Sequence, residues 1–361
     1  MNNIDKKIAV IFPRDSEALF NINSTRTFGG ASVQMYGIAK ELAMRSHIRA
    51  FSIIPDYNKI DFLDLKYFNL VKYSRPGSCF FIKGFCFLLK ILKIRPDVII
   101  QHGLTRESRY LSLFCRLLRI KLIFMFAHDI EAYGLSQTRR NRIRFFKNFL
   151  RRTDILITQN IFQKQYIQNR YDITSKIIHN GFEISGYSKP SVKNVLWVAR
   201  CEAWKRPEIF IELARQNPDK NFIMICPPAN DEKYYHEITE AASDTLNLEF
   251  IRFVPLSEID DYFKNASVFV NTSSAEGFPQ TFIQACMNGL PILSLEVNPD
   301  KFITAQACGM CCDGDFSVLC DGLNSILSNN DLFSGLSQNA YNYALKNHNI
   351  RNNVNSILEA L

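Results

Sequence analysis

Short apolar runs rich in β-branched residues alternate with longer amphipathic runs along the first half of the chain. The short runs have the length and composition of strands, and the longer runs repeat apolar residues at helical spacing. Strands are predicted at residues 7–13, 49–54, 97–100, 121–126, 154–158 and 176–178, and the first long helix at 31–45. Strands that alternate with helices predict a parallel sheet with helices on both faces.

The pattern stops at residues 181–193, where Gly, Ser and Pro accumulate, and then starts again. Further strands are predicted at residues 194–199, 221–226, 249–254, 267–271 and 291–293, whereas residues 316–361 show helical patterning only. We therefore predict two similar α/β domains, at 1–185 and 186–345, with a short hinge between them. A C-terminal helix within 346–361 is expected to pack back on the first domain.

The composition is that of a globular protein. A chain of 361 residues with 47% hydrophobic content can bury a core in each of two domains. It has no run of 18 apolar residues and no signal-peptide pattern, so we expect a cytoplasmic protein without a membrane span. The ten cysteines lack the spacing of a disulfide framework and indicate reduced thiols. Cys308, Cys311 and Cys312 are not followed by a second ligand pair, so we expect no metal site.

The net charge of +8 hides a strong asymmetry between the two halves. Residues 1–190 contain 31 Lys and Arg against 14 Asp and Glu, whereas residues 191–361 contain 12 against 21. The first half therefore carries a net charge of +17 and the second half −9. A basic half of this kind is suited to meet anions.

A basic segment interleaved with aromatic residues, 139–152, concentrates this charge. Its cations are Arg139, Arg140, Arg142, Arg144, Lys147, Arg151 and Arg152. Residues 79–94 form a second, apolar segment with lysines spaced through it. Both could be ordinary helices with an apolar face on the sheet, but each Lys or Arg close to an anionic membrane contributes about 1 kcal/mol. We therefore predict docking on the inner face of the cell membrane; a nucleic-acid partner is not expected, since no such motif is present.

Two features of the first half could contact a ligand. Gly29-Gly30 lies where a loop enters a helix, so backbone N–H groups there could face an anion, although a turn without a ligand would also explain the pair. His128 follows the predicted strand 121–126 and should open onto the carboxyl edge of the sheet. A purely structural histidine is the alternative.

In the second half, Arg200 ends a strand, and Lys205 follows just before a helix that starts near Pro207. Open parallel sheets bind ligands at the carboxyl ends of their strands, so these two cations predict a diphosphate pocket. Two solvated surface charges are the alternative.

Glu276 stands between a predicted strand and a predicted helix, and Gln284 follows eight residues later. Eight residues are close to two helical turns, which predicts one shared face. A carboxylate there can accept hydrogen bonds from sugar hydroxyls while Gly277 and Phe278 offer backbone N–H groups. Alternatively, Glu276 only interacts with the helix dipole, an effect of about 0.3–1 kcal/mol.

Taken together, these segments resemble glycosyltransferase family 4, through Phe28-Gly29-Gly30, Ala127-His128-Asp129, Asn180-Gly181, Arg200 to Lys205 and Glu276 to Pro291. The resemblance implies the GT-B fold, in which two Rossmann-like, doubly wound domains face a central cleft. It implies retaining, metal-independent transfer from a nucleotide diphosphate sugar to a glycan or lipid-linked acceptor, as in bacterial surface polysaccharide or lipopolysaccharide synthesis, without a cofactor. It also implies catalytic roles for His128 and Glu276, and donor binding by Gly29, Gly30, Arg200, Lys205, Gly277, Phe278, Pro279 and Gln284.

The sequence departs from the family pattern at Gln284, where the family has a second glutamate that accepts hydrogen bonds from the ribose. Gln keeps a carbonyl acceptor but loses the charge, so weaker donor binding is expected. Two other functions stay open at this point: a nucleotide-sugar epimerase on a related fold, and a non-catalytic subunit that binds sugar nucleotides. The sequence does not fix the donor sugar, the acceptor, the linkage or the oligomeric state.

Overall fold

The structure is a computed structural model that describes residues 6–21, 24, 29–55, 57, 60–61, 64–73, 80–105, 108–127, 129–132, 140–187 and 194–361. The chain divides into two compact units. Unit 1 comprises Met1–Glu183 together with Ile350–Leu361, and unit 2 comprises Ile184–Asn349.

The described residues of unit 1 form a parallel sheet of seven strands. The strands are β1 (Lys6–Ile11), β2 (Ile48–Ile54), β3 (Leu70–Lys72), β4 (Val98–His102), β5 (Lys121–Met125), β6 (Ile155–Thr158) and β7 (Lys176–Ile177). Their order in the sheet is β3-β2-β1-β4-β5-β6-β7. The direction of winding reverses between β1 and β4, and because crossovers are right-handed this reversal puts helices on both faces.

The helices of unit 1 that precede unit 2 in sequence are α1 (Gly30–Ala43), α2 (Phe80–Ile94), α3 (Ser108–Leu118), α4 (Asp129–Ala132), α5 (Arg140–Arg152) and α6 (Ile161–Tyr171). Helices α2, α3 and α5 share one core on the same face of the sheet, to which they contribute Phe87, Leu111 and Phe149. The ring of Phe149 meets Phe124 of β5 edge to face, with 5.0 Å between the centroids. One apolar face of each helix therefore packs on the sheet, as helical periodicity predicts.

Unit 2 repeats the same winding with six parallel strands. The strands are β8 (Asn194–Val198), β9 (Asn221–Ile225), β10 (Leu248–Ile251), β11 (Val268–Asn271), β12 (Ile292–Ser294) and β13 (Gly309–Cys311). Their order is β10-β9-β8-β11-β12-β13, so the reversal lies between β8 and β11. The predicted fold class, two doubly wound parallel-sheet domains, is confirmed.

The helices of unit 2 are α7 (Pro207–Arg215), α8 (Glu232–Ser243), α9 (Leu256–Lys264), α10 (Gln280–Met287), α11 (Phe302–Ala305), α12 (Phe316–Ser328) and α13 (Asn330–Asn347). Trp197 of β8 is 2% exposed and stacks on Phe210 of α7. Its indole N–H donates to the Thr272 hydroxyl at 2.9 Å, which fixes the start of the loop after β11. The core of the unit thus anchors one of the loops at the carboxyl edge of the sheet.

The final helix, α14 (Ile350–Glu359), follows unit 2 in sequence but belongs to unit 1. Its buried residues include Val354 and Ile357. The Ile350 N–H donates to the Phe182 carbonyl at 2.9 Å, and the Asn353 amide donates to the His179 carbonyl at 2.8 Å. None of the helices in the described part of the chain is long and apolar enough to cross a membrane.

Candidate active site

Two loops of unit 2 flank the point where the strand order reverses. One connects β8 to α7 and the other connects β11 to α10, and β8 and β11 are paired neighbours in the sheet. In a doubly wound sheet the crevice between two such loops is the usual ligand site. The structure brings Arg200 and Lys205 from the first loop to the same edge as Glu276 from the second.

Lys205 and Glu276 form an ion pair in this crevice. Their side chains are only 14% and 13% exposed. The bond goes from the Lys205 Nζ to the Glu276 Oε1, and the Ser273 hydroxyl donates to the same oxygen at 3.0 Å. The Glu276 Oε2 accepts no hydrogen bond from any residue that the structure describes. One oxygen therefore fixes the carboxylate, and the other is available to a ligand.

Burial lowers the pKa of the Lys205 ammonium below its ordinary value, although the neighbouring Glu276 carboxylate favours the charged form. Removing a charge from water is unfavourable unless a partner of opposite sign compensates for it. Lys205 is thus not a solvated surface charge. Its environment requires an anion nearby, which is Glu276 in this structure.

Arg200 is the more exposed of the two cations. Its side chain is 51% exposed, and its guanidinium pairs with the Glu202 carboxylate at 2.9 Å. An exposed ion pair of this kind contributes about 1 kcal/mol or less and is readily exchanged for another anion. Arg200 can therefore turn to a ligand at low cost.

The loop after β11 presents backbone donors. The N–H groups of Ala275, Glu276 and Gly277 donate to no acceptor within the described part of the chain. The loop ends at Pro279, the N-cap of α10, and the Phe278 ring packs against other aromatic side chains, including Phe302 at 5.0 Å between centroids. Successive N–H groups next to a helix start form a cradle for anions or sugar oxygens.

The interpretation of Glu276 and Gln284 as neighbours on one helix face is wrong. Helix α10 begins at Gln280, after Pro279, so Glu276 lies in the loop and the eight-residue spacing does not span two helical turns. The Gln284 side chain is half-buried, and none of the described residues makes a hydrogen bond to its amide. It is free to meet a ligand, but its distance from Glu276 does not follow from helical geometry.

The predicted glycine loop of unit 1 has an unexpected partner. The Gly29 N–H donates to the Asp15 carboxylate at 2.7 Å, and the Ser32 hydroxyl donates to the other carboxylate oxygen at 2.7 Å. A Cβ on Gly29 would lie 2.9 Å from that carboxylate, so a side chain there would require the Asp15 carboxylate to shift. One N–H that the sequence assigned to donor phosphate is therefore already used by Asp15, a residue that the sequence did not indicate.

His128 lies outside the described residues, but Ala127 before it and residues 129–132 after it lie within them. The Glu131 side chain of α4, which is 5% exposed, accepts hydrogen bonds from the Leu104 N–H and, at 2.8 Å, from the Ala127 N–H. This carboxylate ties together the loops after β4 and β5. Sequence reasoning gave Glu131 no role, because the bond to Leu104 joins residues far apart in the chain.

A small cavity lies at the reversal point of unit 1 and has room for one group of about the size of water. It is lined by Ile11, Phe12, Arg14, Tyr73, Phe87, Gln101, Thr105 and Leu111. The Gln101 amide nitrogen donates to the Gly103 carbonyl at 2.9 Å, whereas its buried Oε1 has no hydrogen-bond partner among the described residues. A buried, unpaired carbonyl favours a donor in the cavity.

The basic segment of unit 1 lies largely on α5. Arg144 and Arg151 are exposed and Lys147 and Arg152 partly exposed; Arg139 and the side chains of Arg140 and Arg142 lie outside the described residues. The phenylalanines of α5 face the core instead of solvent. Exposed apolar side chains stand on α2 and α3: Ile82, Phe85, Leu89, Leu92, Tyr110, Leu113, Leu117 and Leu118.

Comparison with known proteins identifies the family. Residues 28–185 match the family described as Glycosyltransferase Family 4, and residues 186–343 match Glycosyl transferases group 1. This chain is a family 4 glycosyltransferase with the GT-B fold. A sequence relative, an uncharacterized glycosyltransferase of Haemophilus influenzae, is 22% identical over 339 residues, which cover 88% of this chain and 92% of the relative.

Solved structures share the fold of this glycosyltransferase. HepE of Anabaena, solved in complex with UDP, superposes with a TM-score of 0.75 at 17% identity and 98% coverage of both chains. The sucrose-phosphate synthase of Thermosynechococcus elongatus superposes with a TM-score of 0.74 at 14% identity and the same coverage. The family match supports the transferase interpretation over the epimerase.

Proposed function

We propose that unit 2 of this glycosyltransferase binds a nucleoside diphosphate sugar in the crevice between the β8 and β11 loops. The Lys205–Glu276 pair carries the proposal, because it sets a buried cation beside a carboxylate with one unused oxygen. The cation suits the diphosphate and the free oxygen suits a sugar hydroxyl. The N–H groups of Ala275 to Gly277 extend the same surface.

The donor is held by residues that divide its parts between them. Arg200 and Lys205 contact the diphosphate, Glu276 and the backbone of Gly277 to Pro279 contact the sugar, and Gln284 accepts a hydrogen bond from the ribose. His128 is assigned to the sugar near its reacting carbon, and Gly29-Gly30 to the phosphates, on the family resemblance alone. Contact through the Gly29 N–H requires that this group first leave the Asp15 carboxylate.

The reaction exchanges one bond of the anomeric carbon for another. The bond to the diphosphate oxygen breaks, the acceptor oxygen forms a bond on the same face of the sugar, and the acceptor proton passes to the departing phosphate oxygen. Negative charge grows on that phosphate, where Arg200 and Lys205 stabilise it without a metal ion. The configuration of the anomeric carbon is thereby retained.

The acceptor is a glycan or lipid-linked saccharide presented at the inner face of the cell membrane, as in bacterial surface polysaccharide or lipopolysaccharide synthesis. Exposed apolar residues on α2 and α3, together with cations such as Arg144 and Arg151 on α5, support this part of the proposal. Apolar side chains that enter the lipid headgroup region, combined with basic residues, are typical of reversible membrane attachment.

Calorimetric titration with UDP, GDP and ADP tests the donor site. We expect one of these nucleotides to bind. Lys205→Ala should lower the affinity for that nucleotide by about tenfold to a hundredfold, as loss of a charged hydrogen bond does. Lys264→Ala is the matched control, because Lys264 also forms ion pairs in unit 2, with Asp260 and Asp261. Equal affinity in the parent and in Lys205→Ala would exclude Lys205 from the site.

Incubation with a sugar nucleotide alone separates transferase from epimerase. A transferase slowly hydrolyses the sugar nucleotide to nucleoside diphosphate and free sugar and forms no isomer of it, whereas an epimerase converts the sugar nucleotide to an isomer. Proton NMR of the mixture distinguishes the two products, and NMR of the glycoside formed with an acceptor reports whether the configuration is retained.

A further inference from the structure

We propose that Arg206 is a positioning residue that holds the Lys205–Glu276 pair in the arrangement that receives the donor diphosphate. This inference rests on the proposed donor site, but it adds a residue that neither the sequence motifs nor that proposal uses. Arg206 follows Lys205 directly in the chain. It reaches the other loops at the carboxyl edge through its side chain.

The Arg206 guanidinium is bound to acceptors in two further loops. Its Nε donates to the Thr272 carbonyl at 2.6 Å, and its Nη2 donates to the Ser273 carbonyl at 3.0 Å. The same Nη2 forms an ion pair with the Glu296 carboxylate at 2.7 Å, beyond the end of β12. One side chain thus links the loops after β8, β11 and β12. These donors face the protein and not a ligand, so Arg206 acts through the loops that it holds.

The backbone of Arg206 has a conformation that glycine adopts more readily than arginine. The residue has φ 50° and ψ 54°, in the left-handed region, between a 3-10 turn at Ala203–Lys205 and Pro207 at the start of α7. Glycine adopts this conformation without the steric cost that a Cβ brings. An arginine is therefore disfavoured by the backbone and favoured by its three side-chain contacts.

Other bonds between the same loops do not depend on Arg206. The Thr272 hydroxyl donates to the Lys205 carbonyl at 2.7 Å, and the Ser274 N–H donates to the Trp204 carbonyl at 2.9 Å. They hold the backbones of the two loops together, so a variant without the guanidinium should still fold. The guanidinium adds control of Ser273, whose hydroxyl in turn bonds to Glu276.

Arg206→Gly is the decisive variant, because it removes the guanidinium and relieves the backbone at the same time. We expect its affinity for the nucleotide that binds the parent to fall by about tenfold, since charged hydrogen bonds are lost from the support of the site. Arg206→Lys can keep the contact with Glu296 but lacks the planar fork of the guanidinium. Its nucleotide affinity should therefore lie between that of the parent and that of Arg206→Gly. Arg215→Ala is the control, because Arg215 of the same unit also bonds to Thr245 and to the Ala241 carbonyl. It should bind the nucleotide as the parent does.

A double-mutant cycle for unfolding tests the positioning without any nucleotide. Lys205→Met, Glu276→Gln and the double variant are compared in the parent and in Arg206→Gly by urea unfolding. We expect an energetic coupling between Lys205 and Glu276 in the parent that is lost in Arg206→Gly. Unchanged coupling, or unchanged nucleotide affinity in Arg206→Gly, overturns the inference. A parent that binds none of the three nucleotides contradicts the proposed donor site, and the cycle then decides the role of Arg206 by itself.

Discussion

Lys205 pairs with the Glu276 carboxylate in the free protein, and it pairs with a phosphate of the nucleotide in the proposed complex. Because burial lowers its pKa, the ammonium loses its proton at a lower pH than an exposed lysine does. A lysine is charged below its pKa, so affinity for UDP, or for whichever nucleotide binds, should fall as the pH rises through that lowered pKa. Calorimetric titrations from about pH 7 to about pH 10 measure the fall.

Lys205→Arg provides the comparison for this pH series. A guanidinium stays charged throughout the range, so the variant should bind more weakly at neutral pH but lose less affinity as the pH rises. Titration of the nucleotide base is common to both proteins and cancels in the comparison. The same alkaline decline in both proteins would mean that Lys205 does not supply the charge.

Gln284→Glu tests the one departure from the family pattern. The Gln284 side chain makes no hydrogen bond within the described part of the chain, so a carboxylate there has no protein partner to disturb. If the position faces ribose hydroxyls, affinity for the nucleotide should rise about threefold to tenfold, because a charged acceptor is roughly twice as strong. Gln284→Met removes the acceptor and should weaken binding. Unchanged or weaker affinity in Gln284→Glu would place the ribose elsewhere.

At the residue scale, the sequence indicates a residue well when its position relative to a strand is enough to place it. Lys205 and Glu276 each follow a strand, which was enough to place both at the carboxyl edge of a parallel sheet, whereas the structure shows that the two strands are neighbours. Asp15 and Arg206 could not be found this way, because their roles depend on bonds to residues 14 or more positions away that only the folded chain brings near. The spacing from Glu276 to Gln284 misled because it counted helical turns through Glu276, Gly277 and Phe278, which lie in the loop before the helix.

At the scale of elements, variants of α2 and α5 separate the apolar contribution to the proposed membrane attachment from the electrostatic one. Phe85 and Leu89 are 64% and 46% exposed, so replacing both by serine should leave the fold intact. Full burial of such a side chain is worth about 1.5–3 kcal/mol, so binding to phosphatidylglycerol vesicles should fall by roughly tenfold or more. Co-sedimentation measures the bound fraction. Leu246→Ser, at a fully exposed leucine of unit 2, is the matched control.

Variants of α5, which carries exposed cations, should give the complementary result. Arg144→Glu with Arg151→Glu on α5 should reduce binding and also its dependence on salt, because fewer cations then face the lipid. The α2 variant should instead keep the salt dependence of the parent. Equal binding to neutral phosphatidylcholine and anionic vesicles, or no binding to either at low salt, would rule out docking through this surface.

Two strands that the sequence did not predict, β3 and β13, lie at edges of their sheets. Each has three residues, too few to show the alternation that marks a strand, although β7 and β12, which are no longer, were predicted. Strand β13 also begins with Gly309, where a Cβ would lie 1.8 Å from the Ile292 carbonyl oxygen. Close packing of two backbones requires glycine there, and glycine weakens the strand pattern in the sequence.

At the scale of the whole molecule, the two sheets have the same winding, whereas the two halves of the sequence that form them carry net charges of opposite sign. The alternation of strands and helices was enough to predict parallel sheets, because parallel strands need crossover helices. Strand order was beyond reach, since it depends on the pairing of β1 with β4 and of β8 with β11 across long stretches of chain. Those two pairings create the reversal points, and the candidate active site lies at the second one.

Helix α14 has a consequence for the order in which the molecule is made. Domains generally fold in the order in which they leave the ribosome. Here unit 1 emerges first but lacks its last helix until unit 2 has been synthesised, whereas unit 2 is complete within Ile184–Asn349. The surface of unit 1 that α14 covers, next to Gly181 and Phe182, therefore stays exposed until the ribosome has synthesised α14. In the nascent protein, the second unit to emerge is the first that can be completed.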